Sequence, residues 1–308
     1  MNAPTFNLEA TPQPNRARVR RGGWSWGPVE GAKLRVLSLG AGIQSTTLAL
    51  MAAHGALEPL PDAVIFADTG AEPPAVYEHL RWLRSGNVLP FDVTVVHGGN
   101  IIGDLKRQVH GERAGPGGKS PSAPFFAPGR KGAAPIRRQC TGHYKIDPIN
   151  RVVRGLLGFK PRQRIAPASV EMWIGISVDE VVRAGPAVEG WIVNRYPLLE
   201  QRMSRRDCEA WLLAHDYPVP PKSACTFCPY RTNLEWRRLK DEDPQAFAQA
   251  CEIDELIRGG FIRNERGTST GNLYVHRSMK RLAEIDFRTA EERGQGNMLM
   301  VCEAGCGL

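Results

Sequence analysis

The sequence lacks any uninterrupted apolar run near the roughly 20 residues that a membrane-spanning helix needs. Its first 33 residues contain no apolar core of a secretory signal and are rich in Pro, Asn, Gly and Arg. The seven cysteines form an odd set without such a signal, which disfavours a disulfide framework. No internal repeat is present. We expect a soluble cytoplasmic protein, with no membrane partner and a poorly ordered basic tail over residues 1–32.

Acidic residues are nearly absent from one long stretch of this chain of net charge +8. Residues 106–138 carry eight Lys and Arg side chains against Glu112 alone. The Gly/Pro-rich loop 107–138 has two adjacent aromatics, Phe125 and Phe126, and too little periodicity for a packed element. It could clamp a polyanion such as nucleic acid, or close over a small phosphorylated ligand.

Short apolar runs alternate with helical patterns in the first two thirds of the chain. The strand-like runs cover 34–39, 62–67, 91–97 and 170–176, and helical patterns lie near 45–54, 73–85 and 144–157. This order predicts an α/β fold with a parallel, doubly wound sheet, in which ligands bind beyond the carboxyl ends of the strands. A mostly helical C-terminal region is expected over 201–308, with helices at 204–216, 231–260 and 272–287.

The stretch "LRVLSLGAGIQSTTLALMAAHG" places small residues and hydroxyls between a strand and a helix. Glycine lets the backbone approach a ligand closely, and free N–H groups at a helix N-terminus attract phosphate. The stretch therefore indicates a phosphate-binding loop, or an ordinary strand-to-helix turn with a Ser cap.

The cysteines provide a second chemical signal. Cys208 and Cys251 fall inside helical patterns and are expected in the core. Cys225 and Cys228 form a CxxC in a proline-flanked loop, where two thiolates can reach one metal. Joined by the tail cysteines Cys302 and Cys306 they could form a four-thiolate zinc site, and joined by Cys140 a three-thiolate iron–sulfur site. A redox CxxC is a third option.

Taken together, the motifs resemble the PP-loop superfamily and its phosphoadenylyl-sulfate (PAPS) reductase family. "SLGAGIQST" resembles the pyrophosphate-binding SGGxDS loop, and "FADTGAEPPAVYEHL" resembles the DTGxxFPET segment of sulfonucleotide reductases. "QCTGHYKIDPI", "GISVDEVVRA" and "YPLLEQRMSRRDCEAWLLAHDYPVPP…CTFC" are similar to later family segments in the same order, so the resemblance spans about 34–230. The chain differs at Gly40, Ala41 and Gln44 of the loop, and Thr141 stands where cluster-bearing reductases have a second cysteine.

The resemblance implies an adenine nucleotide alpha hydrolase-like domain over 33–200 and a set of site residues. Asp68 would support Mg²⁺ or the ribose, Lys145 and Arg183 would neutralise developing charge, and Cys306 would be the nucleophile of a reductase. Cys140, Cys225 and Cys228 would hold a 4Fe-4S cluster, with Cys302 as a further ligand and zinc as the alternative metal. The implied nucleotide-binding residues are Ser38, Gly40, Ala41, Gly42, Gln44, Ser45, Thr46, Asp68, Thr69 and Gly70.

Three functions are consistent with these motifs. The first is an ATP-dependent iron–sulfur sulfurtransferase that thiolates nucleic acid, either tRNA or DNA. The second is an adenylyl-sulfate or PAPS reductase, and the third is a non-catalytic zinc protein that binds nucleic acid. The first two imply an adenine nucleotide together with a sulfur-donor protein or a reductant, and a homo-oligomer is compatible with all three.

Overall fold

A six-stranded parallel sheet organises the fold, in the strand order β1-β8-β7-β2-β3-β4. The computed structural model describes residues 22–112, 114–260, 271–289 and 292–293. The strands are β1 (Gly23–Ser25), β2 (Leu34–Leu39), β3 (Ala63–Asp68), β4 (Val93–His97), β5 (Phe126–Gly129), β6 (Gly132–Pro135), β7 (Val170–Ile174) and β8 (Ile192–Arg195). The helices are α1 (Ile43–Ala53), α2 (Pro74–Leu83), α3 (Ile101–Val109), α4 (Asp147–Leu156), α5 (Pro197–Glu200), α6 (Arg205–Ala214), α7 (Asn233–Glu242) and α8 (Pro244–Leu256).

The strand order confirms the predicted α/β class and its parallel sheet. From β2 the chain proceeds to β3 and β4 on one side, whereas β7 and β8 extend the sheet on the other. The neighbouring strands β2 and β7 therefore form the topological switch point, where open parallel sheets bind their ligands. No helix among the described residues combines the length and apolarity needed to cross a membrane.

The chain divides into two compact units. The first contains the described residues up to 66, together with 82–94 and 151–220; the second contains 67–81, 95–150 and the described residues from 221 onward. The division falls within β3 and β4.

In the first unit, a buried ionic network ties the sheet together. The Glu171 carboxylate is fully buried and accepts hydrogen bonds from the Trp173 indole at 2.5 Å and the Arg195 guanidinium at 3.1 Å. Arg195 also binds both oxygens of Glu200, at 3.0 and 2.9 Å. A buried charge is tolerated only when paired and hydrogen-bonded in this way. The network explains how β8, with the polar sequence Ile-Val-Asn-Arg, forms an interior strand.

In the second unit, the core is built from the helices and from part of the basic loop. Phe125, Phe227, Tyr144 and Trp236 are fully buried in one apolar cluster, and the Phe125 and Phe227 rings stack at 6.1 Å between centroids. Burial of large aromatic side chains supplies much of the hydrophobic stabilisation of such a core.

The expectation that 107–138 contains no packed element is therefore wrong. The loop includes the antiparallel hairpin β5–β6, and Phe125 lies in the core instead of facing a polyanion, because apolar neighbours from the helices surround it. Phe126 is partly exposed and pairs through its backbone with Tyr274.

The helix predicted over 272–287 is also wrong. The Asp254 carboxylate in α8 is fully buried and accepts the N–H groups of Val275 at 2.8 Å and Leu282 at 3.0 Å. Because Val275 and Leu282 donate to this carboxylate and Tyr274 pairs with Phe126, the segment is irregular, with a β-bridge at Tyr274 and a 3-10 turn at Leu282–Glu284. Part of the expected disordered tail is ordered too, since Gly23–Ser25 pairs with β8.

Candidate functional site

The glycine loop, residues 40–45, joins β2 to α1 in the first unit. Gly40 donates its N–H to the Ser45 hydroxyl at 3.0 Å, and that hydroxyl donates to the Gly42 carbonyl at 3.2 Å. Ala41 has a left-handed φ of 54° and is fully buried, which turns the chain sharply into the helix. The Ser45 side chain therefore fixes the shape of the loop.

The loop presents the N-terminus of α1. Gly42 is the N-cap and contributes no side-chain cap, so the N–H groups of 42–45 have no intrahelical acceptor. The first turn of α1 contains no acidic residue, and a Cβ on Gly175 would lie 2.9 Å from the Ser45 backbone nitrogen. The end of β7 thus approaches the loop closely at the switch point. This is the geometry in which helix N-termini bind phosphate.

Gln44 takes part in a polar network at the same end of the sheet. Its amide nitrogen donates to the Ser177 hydroxyl at 3.4 Å, and its amide oxygen accepts from Arg205 at 3.3 Å. Ser177 in turn donates to Asp179 at 2.8 Å. Gln44 therefore joins the start of α1 to the loop after β7 through Ser177 and to the charged Arg205 of α6.

Thr46 and Ser38, two further predicted nucleotide ligands, have side chains that are buried or partly buried. Thr46 is fully buried within α1, so its hydroxyl lies behind the loop. Ser38 is partly buried inside β2, opposite Ile65.

Arg183, which was predicted to neutralise charge, lies at the end of the short 3-10 turn Val178–Arg183. Its side chain is more than half exposed and forms an ion pair with Glu180 at 2.5 Å.

In the second unit, Asp68 and the residues after it form a rigid turn at the end of β3. One Asp68 oxygen accepts from the Gly70 N–H and the Tyr77 hydroxyl, both at 2.8 Å, and the other lies 3.5 Å from His97 Nδ1. Burial and the Asp68 carboxylate raise the pKa of Tyr77. Asp68 therefore holds the turn with one oxygen and faces His97 with the other.

Gly70 and Thr69 have positional roles in that turn. Gly70 has a φ of 70°, and a Cβ there would lie 2.7 Å from the Asn100 amide nitrogen, so only glycine fits. Thr69 is buried, and its hydroxyl lies 3.4 Å from the Cys225 sulfur. Through the Thr69 hydroxyl, the turn at the end of β3 contacts the CxxC loop.

An ion pair that was not predicted lies beside this turn. Lys145 Nζ is 3.1 Å from Glu72 Oε1, and the Glu72 side chain is completely buried. The second Glu72 oxygen accepts from the Ser223 hydroxyl at 3.4 Å. The Glu72 carboxylate raises the pKa of Lys145, which keeps this amine protonated. In the sequence, Glu72 is distinguished only by its place in "DTGAEPP", between Ala71 and two prolines.

We define the thiol cluster as Cys140, Cys225 and Cys228. All three are partly buried in the second unit; Cys140 acts electrostatically on Cys228, and Cys228 on Cys225. Burial raises the pKa of Cys225 to about 12, Glu72 adds to the rise, and Lys145 opposes it. Cys140 directly precedes the π-helical turn Thr141–Ile146, which carries Lys145. Such turns are frequent at functional sites.

Arg231 adds a second positive charge next to the CxxC loop. It is only 7% exposed, and its Nη2 donates to the carbonyls of Ala224 at 2.9 Å and Cys225 at 3.2 Å. Its buried Nε has no hydrogen-bond partner among the residues that the structure describes. Burial lowers the pKa of Arg231, because the guanidinium has lost its water. The hydrogen-bond acceptors of Arg231 are neutral carbonyls, and its charge is balanced electrostatically by Cys228, Glu235 and Glu72.

No three His, Cys, Asp or Glu side chains in the described chain are arranged to hold one metal ion, which does not fit a zinc site built from these residues. Cys thiolates are the usual ligands of iron–sulfur clusters, and the charges of Lys145 and Arg231 act on two of the three thiols, Cys225 and Cys228, so the donor chemistry of this set fits a cluster. The tail cysteines Cys302 and Cys306 lie outside the described residues.

The other predicted core cysteines are consistent with structural roles. Cys208 is fully buried in α6, as predicted, and burial raises its pKa to about 12. Cys251 is partly buried and packs against the core of the second unit.

Comparison with known proteins adds no assignment, since neither a protein-family model nor a curated protein matches the chain.

Proposed function

We propose that this chain is a cytoplasmic PP-loop enzyme of the PAPS reductase family that uses ATP to thiolate nucleic acid, with an iron–sulfur cluster as its cofactor. The observation that carries the proposal is the composition of the thiol cluster. Three thiols act on one another in one compact unit, and two cations, Lys145 and the buried Arg231, lie beside them. Lys145 and Arg231 oppose the rise in pKa that burial causes at Cys225 and Cys228, and so favour the thiolate form that binds metal.

The glycine loop supports the nucleotide part of the proposal. Free N–H groups of 42–45, without an acidic residue in the first helical turn, suit the phosphates of ATP. The Asp68 oxygen near His97 would contact Mg²⁺. Arg183 would neutralise phosphate charge after leaving Glu180, which its exposure permits.

The reaction would occur in two displacements. An oxygen of the acceptor base attacks the α-phosphorus of ATP, the bond to the β-phosphate oxygen breaks, and pyrophosphate leaves with the electron pair. A sulfur nucleophile then attacks the activated carbon, and AMP leaves with the former acceptor oxygen. Lys145 would stabilise the negative charge that develops during these steps. A cluster bound by Cys140, Cys225 and Cys228 would supply an open iron that holds the transferred sulfur.

The first test is an anaerobic calorimetric titration with Mg-ATP and, separately, with adenylyl sulfate and PAPS. We expect ATP to bind in preference to both sulfonucleotides, and Ser45→Ala to weaken that binding because the loop loses the hydroxyl that shapes it. Preference for a sulfonucleotide would favour a reductase, for which Cys306→Ser should abolish activity.

The second test measures iron and acid-labile sulfide in the anaerobically purified protein. Cys225→Ser should lose both, whereas Cys251→Ser, a partly buried cysteine outside the thiol cluster, should retain both. Stoichiometric zinc without iron in the wild-type protein would contradict the cluster and favour the non-catalytic zinc protein.

A further inference from the structure

An exposed aromatic side chain lies next to the thiol cluster. Tyr230 is 50% exposed, and its backbone N–H binds the Cys228 sulfur. The Arg138 guanidinium lies over the Tyr230 ring, 5.5 Å from its centroid, and acts electrostatically on Cys228. The guanidinium thus covers one face of the exposed ring, and the two groups form a short stack beside Cys228, with the outer faces of the stack left for a further planar group.

Positive charge continues from this surface along the hairpin. Arg130 and Lys131 form the turn between β5 and β6, and Arg137 follows β6. These three residues and Arg138 are all exposed, and residues 126–140 contain no acidic side chain. Such a line of cations next to an aromatic surface complements a chain of phosphates that carries accessible bases.

We propose that Tyr230 and Arg138 form a stacking platform for an unpaired base of single-stranded nucleic acid, whose phosphates contact the basic hairpin. The inference rests on the proposed function and specifies its substrate as single-stranded. Stacking requires an open base face, which duplex nucleic acid hides inside its own stack. The position of Tyr230, two residues from Cys228, would bring the stacked base or its neighbour to the thiol cluster.

The test is fluorescence anisotropy with a labelled 12-nucleotide single strand, as RNA and as DNA, and with the matched duplexes. Tyr230→Ala should weaken single-strand binding about fivefold or more, since one base stack is lost. Tyr230→Phe, which keeps the ring, should bind within about twofold of wild type. Arg138→Ala should reduce the salt slope of log Kd by about 0.7, the value for one phosphate contact on a single strand. The labelled strand that loses affinity in Tyr230→Ala identifies the substrate as RNA or DNA.

Two controls separate the platform from general effects. Trp26→Ala removes another exposed aromatic, and Arg164→Ala removes another exposed cation, both in the first unit, and neither should change binding by more than about twofold. Unchanged binding of Tyr230→Ala, or an equal loss on duplex, would overturn the platform. If the wild-type protein binds ATP and iron but no nucleic acid of either form, the platform and the nucleic-acid substrate both fail. If it binds the single strand but neither ATP nor iron, the enzymatic proposal alone fails.

Discussion

The Glu72–Lys145 pair predicts an asymmetric response to mutation. Glu72 is completely buried, whereas about a third of the Lys145 side chain is exposed. Lys145→Met leaves a carboxylate buried without its counterion, a change that costs about 3–5 kcal/mol. Glu72→Gln leaves an amine that can turn toward water, and we expect a cost of about 1 kcal/mol. The two variants should therefore differ by about 2–4 kcal/mol although they break the same bond.

Native-state hydrogen exchange is the suitable assay, because it reports the opening free energy of individual segments in a chain with two units. The peptides to compare cover 69–75 and 221–231, which contain Glu72, its partner Ser223 and the CxxC loop. The double variant should lose less than the sum of the two single losses, since its second substitution removes the charge left unpaired by the first. Equal opening free energies in the two single variants would refute the asymmetry.

Three further outcomes follow from positions described above. Gly70→Ala should destabilise the second unit by more than about 1 kcal/mol, because its φ is positive and a Cβ has no room; Gly155→Ala, with open space in α4, should stabilise by about 0.5–1 kcal/mol, and chemical denaturation distinguishes the two. Burial lowers the pKa of His79 to about 4, below the 6.5 of a free imidazole. The free energy of unfolding therefore has its full value above pH 6.5, and about 3 kcal/mol of it is lost as the pH falls from 6.5 to 4, because the unfolded chain binds the proton more tightly. His79→Gln should flatten that part of the stability profile, and an unchanged profile would show that another group is responsible. Glu171→Ala should cost roughly 3 kcal/mol in urea unfolding, because it leaves buried donors without their acceptor; a loss below about 1 kcal/mol would contradict this account of the network.

The local residue pattern was sufficient to predict the strands that are rich in apolar and β-branched side chains. Strand β2 has its predicted bounds, and β3, β4 and β7 differ by one or two residues at their ends. Strand β8 was missed because its Asn194 and Arg195 look exposed in sequence. Arg195 is an interior residue only through its tertiary partners Glu171 and Glu200, and Asn194 donates to the Gly185 carbonyl.

Site residues that belong to short sequence motifs could be predicted, whereas those that gain their role from tertiary contacts could not. The CxxC and the small-residue turn after β2 are short-range patterns and could be found directly. Glu72 and Arg231 could not, because a single acid or base gains meaning only when burial removes its water. The wrong helix at 272–287 has the same origin, since Asp254 competes for its N–H groups from a distant position.

The π-helical turn after Cys140 makes the length of this segment a determinant of side-chain direction. Its hydrogen bonds enclose one residue more than those of an α-helix, and it separates a thiol of the cluster from Lys145. In an α-helix each residue rotates the side-chain direction by about 100°, and in a π-helical turn the rotation is smaller because the turn holds more residues. Shortening the turn by one residue would keep both Cys140 and Lys145 but change the angle between their side chains, so chain length here carries information that residue identity alone does not.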